Sequence, residues 1–457
     1  MQNNWGALSA GLPEDILKAK WAGDFKQAAA LIEARLRDER VPKALKESLE
    51  MEKIILERLP REYTIPRIEA IAKVQERISD FTEAEFDALE LAGKLDYIYV
   101  MGEKMYFRRF LQTLLKVNPD LAARTGTAQP EGPSALDEVI ASMKKAGSAA
   151  YHIRIRHTVY IEDEAFVPGE TYTVHIPIPM PAAQIKNIRV LTKDENMIVA
   201  PDNQPQRTVC FTERLMENKR FTVEYEYDNE VKYVDLSRPG TGVVYPNAAP
   251  VTPADTQELP PHIVFTPYMR ALAKELMGDE TDPLRVARRF YDYCTTRVTY
   301  TFMRSYLTIE NGSEYAAINL KGDCGIQALC FITLCRAVGI PARWQAGIEM
   351  EPPRHVSNHD WAQFYVEGRG WLFCDCSYGG SAWRKGKLDR WNFYFGNLEP
   401  WRMVSNADYQ QDFFPAKKFT RIDPYDNQCG EVETEKRGLK AHECDCEWEL
   451  LELRKID

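Results

Sequence analysis

The hydrophobic period changes near residue 150, and that change narrows the folds open to this 457-residue chain. Before it, apolar residues recur every three or four positions. In "EDILKAKWAGDFKQAAALIEARLRDE" this spacing predicts two helices that meet at Gly23-Asp24. After it, apolar and polar residues alternate. Ile153, Ile155, Val159 and Ile161 alternate with His152, Arg154, Arg156 and Tyr160. Tyr172, Val174, Ile176, Ile178 and Met180 share one face of a second run, and Phe221, Val223, Tyr225 and Tyr227 of a third. Successive side chains of a strand point to opposite faces, so these runs read as half-buried strands. A helical bundle over 1–147 thus precedes a small β domain over 148–235, read as a sandwich. Pro177 and Pro179 cannot donate to a ladder, which places their strand at an edge. His152, His157 and His175 fall on polar faces and read as surface histidines.

"TGTAQPEGPS" (125–134) and the proline-rich stretch 236–262 read as connections. Helical spacing returns near 260 and gives way to strands toward 376. A third unit over 260–415 therefore mixes the two periods, with 416–457 as a C-terminal tail. The whole reads as a multidomain α+β protein. Its 44% apolar residues suffice for a large core, and a net charge of −10 argues against nucleic acid or an anionic membrane as partner. No stretch approaches the roughly 18 apolar residues of a membrane span. "MQNNWGALSAGLPEDILKAKWAGDF" lacks the basic-then-apolar layout of a signal peptide. Ten cysteines are too few for a disulfide scaffold in a chain of this length. A soluble cytoplasmic protein with reduced thiols is expected.

"GDCGIQALCFITLCRAVGIPAR" (322–343) sets one cysteine at the head of a helix apolar nearly all round, hence buried. Asp323 is a good N-cap, Gly339 suits the left-handed C′ position, and Pro341 follows. Cys330 and Cys335 read as packing. Cys324 lies in the first turn, where free amides and the dipole favour a thiolate by only about 0.3–1 kcal/mol. The charge of Asp323 opposes them. A partner base is needed, and His359 opens a run that leads through Gly368-Arg369-Gly370 to Asp375. An imidazolium beside the sulfur can lower a cysteine pKa from about 8.5 to about 4. That is roughly 6 kcal/mol. His359, more than the helix, would activate the thiol.

Parity tests whether Asp375 can reach His359, sixteen positions upstream. Facing pairs in a hairpin share a constant index sum, and an odd loop makes that sum even, with both side chains on one face. A three-residue loop at Gly368–Gly370 would pair Asp375 with Gln363, too far along the strand. A five-residue loop, Val366–Gly370, pairs it with Trp361 and sets it diagonally from His359, within side-chain reach. Cys374 and Cys376 then turn to the opposite face, into the core.

"GDCG" on a buried helix, "RAVGIPAR" closing it, "HDW" opening a strand, and "GW" leading to an aspartate together resemble the transglutaminase-like core, a papain-related family of Cys-His-Asp thiol enzymes. The resemblance covers about 320–380, with helices from about 263 extending it. It implies Cys324 as nucleophile, His359 as base and acid, and Asp375 as orienting carboxylate. Members more often show His-Ala-Trp and then Val-Glu; here Asp360 and Gln363 intervene. Cys376 replaces a proline that often follows the aspartate.

The implied activity is thiol acyl transfer on amide bonds of peptides or protein side chains through a thioester, hydrolysis being favoured. Alternatives are a protein-glutamine transamidase and, from another class, an inert core kept for binding or scaffolding. A peptide N-glycanase fits less well, since the paired Cys-x-x-Cys ribbons are missing. No calcium loop, P-loop or dinucleotide fingerprint occurs, so no cofactor is expected. His442, Cys444 and Cys446 with Cys374 and Cys376 are poorly spaced for zinc, and no metal is expected either. The aromatic run "WNFYFGNLEPWRM" (391–403) walls either a groove or a satellite core.

Overall fold

The computed structural model describes residues 5–456 apart from 127–133, 239–241, 243–244, 246–247 and 354. Most of the connection expected at 125–134, and part of 236–262, lies outside the described residues. After a short 3-10 helix, Trp5–Ser9, comes the expected hairpin of helices, Glu14–Trp21 and Phe25–Arg37. It turns at Gly23, whose φ of +78° suits glycine, and Asp24 caps the second helix by accepting from the Gln27 amide. A long helix, Lys43–Glu62, follows.

This first unit is not wholly helical. Tyr63–Pro66, Glu103–Phe107 and Tyr97–Val100 form a three-stranded antiparallel sheet. Its hairpin, "YIYVMGEKMYF", turns at Met101-Gly102, both at positive φ. Aromatic and β-branched residues flanking a two-residue turn were the overlooked signal. Helix α1 (Phe110–Val117) leads back to the rest of the molecule, with Thr113 Oγ1 accepting from the Phe302 amide at 3.1 Å.

The alternating runs build two four-stranded sheets. Strands β1 (Ser148–Ile161), β2 (Thr171–Pro177), β3 (Ile185–Val190), β4 (Met197–Val199), β5 (Thr208–Arg214) and β6 (Phe221–Lys232) supply six of their strands. The other two come from the segment expected to be a tail. β12 (Glu431–Thr434) pairs with β2, and β13 (Cys444–Ile456) runs the length of β1. The sheet orders are β12-β2-β5-β4 and β13-β1-β6-β3. β2 is therefore an interior strand. Pro177, its last residue, lies beyond the β12 ladder, which ends at His175, so the missing N–H leaves no gap there. His157 and His175 are fully buried rather than on the surface, and burial pushes both down to about 4.

The third unit sets α2 (Pro283–Thr296) and α3 (Cys324–Ala337) against an antiparallel sheet ordered β10-β9-β8-β7-β11. These strands are β7 (Ala342–Glu351), β8 (His355–Val366), β9 (Gly370–Cys374), β10 (Phe395–Gly396) and β11 (Arg402–Asn406). Helix α4 (Cys376–Arg384) leaves the end of β9. The sandwich docks on edge strand β11: Asn229 Nδ2 donates to the Arg402 carbonyl at 2.8 Å, and the Met180 amide to the Val404 carbonyl at 2.8 Å. One apolar cluster runs through both units. Among the described residues no helix is long and apolar enough to cross a membrane.

Candidate active site

β8 and β9 pair Val366 with Gly370 and Ala362 with Cys374. Continued by one residue, that register sets Asp375 opposite Trp361 and diagonal to His359, as parity requires. The loop is shorter than expected, Glu367–Arg369, because Val366 and Gly370 themselves pair; Gly368 turns it at φ +76°. Asp375 Oδ2 and His359 Nε2 are 2.8 Å apart. The ring is stacked near Trp361 and meets Tyr378 edge-on, at centroid distances of 6.2 and 5.0 Å. With Nε2 engaged, Nδ1 is the nitrogen left for a sulfur.

Asp375 has three duties. Its Oδ1 accepts from the Tyr378 amide at 2.8 Å and so caps α4. Its Oδ2 serves His359 and also makes an ion pair with Arg402 Nη1, 2.7 Å away. Burial alone would raise this carboxyl, but the charges of His359 and Arg402 outweigh it and hold it below its ordinary value. Arg402 is fully buried and forks onto Glu399, Nε at 2.5 Å and Nη2 at 3.0 Å. Arg402 thus stands between two buried carboxyls, those of Asp375 and Glu399. Neither Arg402 nor Glu399 follows from the motif; both sit in the aromatic run 391–403.

Asp323 caps α3, accepting from the Ile326 amide at 3.1 Å, and receives the Tyr306 hydroxyl at 2.6 Å. Burial pushes it up to about 6, against those hydrogen bonds. Cys324 thus heads α3 as expected, half-buried. Its thiol donates to Asp360 Oδ2 at 3.4 Å. Burial first, then the Asp360 and Asp323 carboxyls, pushes the sulfur well above its ordinary value. A thiolate paired to imidazolium was expected; burial of the sulfur, with the Asp360 carboxyl that follows the histidine beside it, favours the thiol instead.

Asp360 is itself held. Gln428 Nε2 donates to its Oδ1 at 2.6 Å and to the His359 carbonyl at 3.1 Å. Burial raises Asp360 far above its ordinary range, and the Asp426 carboxyl against it adds to this. Asp426 is pushed up to about 6, by burial and by Asp423. Gly325 makes the room: a Cβ there would lie 2.7 Å from Asp360 Oδ2 and 2.9 Å from the Trp344 ring.

Cys324, His359 and Asp360 line one cleft of about 1950 Å³, with walls from the N-terminal unit, the core and the C-terminal segment. Cys374 and Cys376 lie in the core, sulfurs 3.8 Å apart. Cys444 is buried on β13, and His442 lies 3.1 Å from Arg61. Among the described residues no three His, Cys, Asp or Glu side chains gather as a metal ion requires.

Residues 270–376 match the family model of the transglutaminase-like superfamily, and this stretch is a transglutaminase-like core. At family level that match supports a cysteine-based hydrolase or acyltransferase. The fold is similar to a candidate cysteine protease from Cytophaga hutchinsonii, at 13% identity and TM-score 0.39, over 68% of this chain and 90% of that one. It is also similar to the periplasmic domain of TgpA from Pseudomonas aeruginosa, at 15% identity and TM-score 0.28, over 58% and 99%. No curated protein matches the sequence.

Proposed function

We propose that the protein is a thiol hydrolase that cleaves amide bonds of peptides or protein side chains. The observation that carries this reading is the His359 imidazole fixed by Asp375 at 2.8 Å, in the cleft that Cys324 also lines. Cys324 Sγ bonds to the carbonyl carbon while its proton passes to His359 Nδ1. That proton then goes to the leaving amine as the C–N bond breaks, and a thioester remains. Water adds to the thioester, gives a proton to His359, and the C–S bond breaks to restore the thiol. The Cys324 N–H is the first of α3 and has no acceptor within the helix, which suits it to the oxyanion. An amine in place of water would give transamidation.

A second reading, an inert core kept for binding, is favoured by the thiol's bond to Asp360. Peptide amides screened with and without an added amine, beside Cys324→Ala, separate all three. Turnover lost in Cys324→Ala supports the hydrolase, amine incorporation supports the transamidase, and no turnover supports the scaffold. We also propose the cytoplasm as compartment, supported by a composition too poor in cysteine for a disulfide scaffold. Fractionation of cells carrying the tagged chain tests it, and recovery outside the cytoplasm refutes it.

A further inference from the structure

Resting on that reading, we propose that the substrate carries a carboxylate beside the bond Cys324 attacks, held by Lys116, Arg109 and Arg384. All three line the cleft with Cys324. They converge on the short strand Thr299–Tyr300 and Phe302 just beyond it. Lys116 Nζ stands 3.9 Å from the centre of the Tyr300 ring and 5.0 Å from that of Phe302. The Arg109 guanidinium stands 3.5 Å from the Phe302 ring. Arg384 comes from the last turn of α4, which packs against that short strand.

These cations are unmatched where their neighbours are matched. Arg108 pairs with Glu62, Arg390 and Lys387 with Asp137, and Arg421 with Glu431. Among the described residues no carboxylate lies within ion-pair distance of Lys116, Arg109 or Arg384; Arg109 donates to the neutral Gln112. Lys116 shows the cost. The protein around it pushes the ammonium below its ordinary value, Cys324 and Glu349 oppose this, and Arg109 and Arg384 add to it. Three like charges crowded at a cleft wall repel, and an anion placed among them relieves the repulsion and makes charge-assisted hydrogen bonds. In a peptide or protein substrate the fitting group is a carboxylate, from an acidic side chain or from the chain terminus. Lys116 and Arg109 belong to the N-terminal unit, so this site gives that unit a part in choosing substrate.

The first test needs no substrate. Cys324 is alkylated in parallel with anionic iodoacetate and neutral iodoacetamide, and the ratio of the two rates is read. We expect that ratio to fall roughly threefold to tenfold in Lys116→Gln, further in Lys116→Glu, and less at high salt. A ratio unchanged in both variants, each melting as the parent does, overturns the site. If they fail to fold, Arg384→Gln, on another element, reads the same ratio. A panel of matched peptide amides then finds the source. Preference for Glu over Gln beside the bond assigns a side chain, and preference for a free over an amidated C-terminus assigns the terminus. Full turnover with neither preference overturns the proposal. No turnover, with an alkylation ratio that still responds to Lys116, overturns the amide-cleaving reading and supports the anion site.

Discussion

Asp360 is where this chain departs from the pattern of transglutaminase-like cores, and it bears on the state of the sulfur. Burial first, and then the Asp360 carboxyl 3.4 Å away, favour the thiol at Cys324. Asp360→Ala should therefore lower the thiol pKa and raise iodoacetamide labelling of Cys324 at pH 7, by roughly threefold to tenfold. An unchanged rate would remove Asp360 from the account. The partner carboxyl yields a prediction of its own. Asp426 has an ordinary value of 3.8 and a folded one of about 6, so the native state binds more protons than the unfolded one between them. Its contribution to stability therefore declines as pH rises from about 4 to about 6. Asp426→Asn, which cannot titrate, should gain on the parent across that window by roughly 1–3 kcal/mol and hold the gain above it, as paired melts would show. Asp360 was legible as an oddity because it stands where the family more often has alanine. Its partners were not, since Asp426 and Gln428 approach only through tertiary folding, and no local period encodes that.

Helix α3 was legible from end to end. Asp323 caps it through the Ile326 amide, and Gly339 sits at φ +83° beyond its last turn. The register of β8 and β9 was legible too, because parity does not depend on the loop's detail. Edge position was not: β2 looked like an edge from its prolines, yet the strand that covers it, β12, comes from the far end of the chain. Gly325→Ala tests the close packing beside Cys324. Its Cβ would crowd Tyr306, Asp360 and Trp344, so we expect a loss of about 1–3 kcal/mol and altered labelling of Cys324. Asp375→Asn is not a pure test of imidazole orientation. The amide can still cap α4, but Arg402 loses a buried carboxylate, so stability should fall by about 3 kcal/mol along with turnover. A stable, inactive Asp375→Asn would show that Glu399 alone satisfies Arg402.

At the scale of the molecule, the segment after 415 is structural. In "CDCEWELL" Cys444, Cys446, Trp448 and Leu450 alternate with acidic residues, a strand signature obscured by the density of charge. β13 pairs with β1 over nearly its whole length. A chain ending at 415 lacks two sheet edges and Gln428; we expect it to lose cooperative melting, and a melt matching the full chain would refute this. The first unit also grips this segment: Arg58 Nη1 donates to the Ile422 carbonyl at 2.6 Å.

The place of Gln428 in the chain also imposes an order in time. Synthesis delivers the helix of Cys324 and the strand of His359 first, and Gln428, β12 and β13 only afterwards. While the chain is still on the ribosome, Asp360 lacks the amide that steadies it and the sandwich lacks two of its eight strands. The cleft reaches its finished form only after the last strands have been made, so a growing chain carries the cysteine before it carries the site.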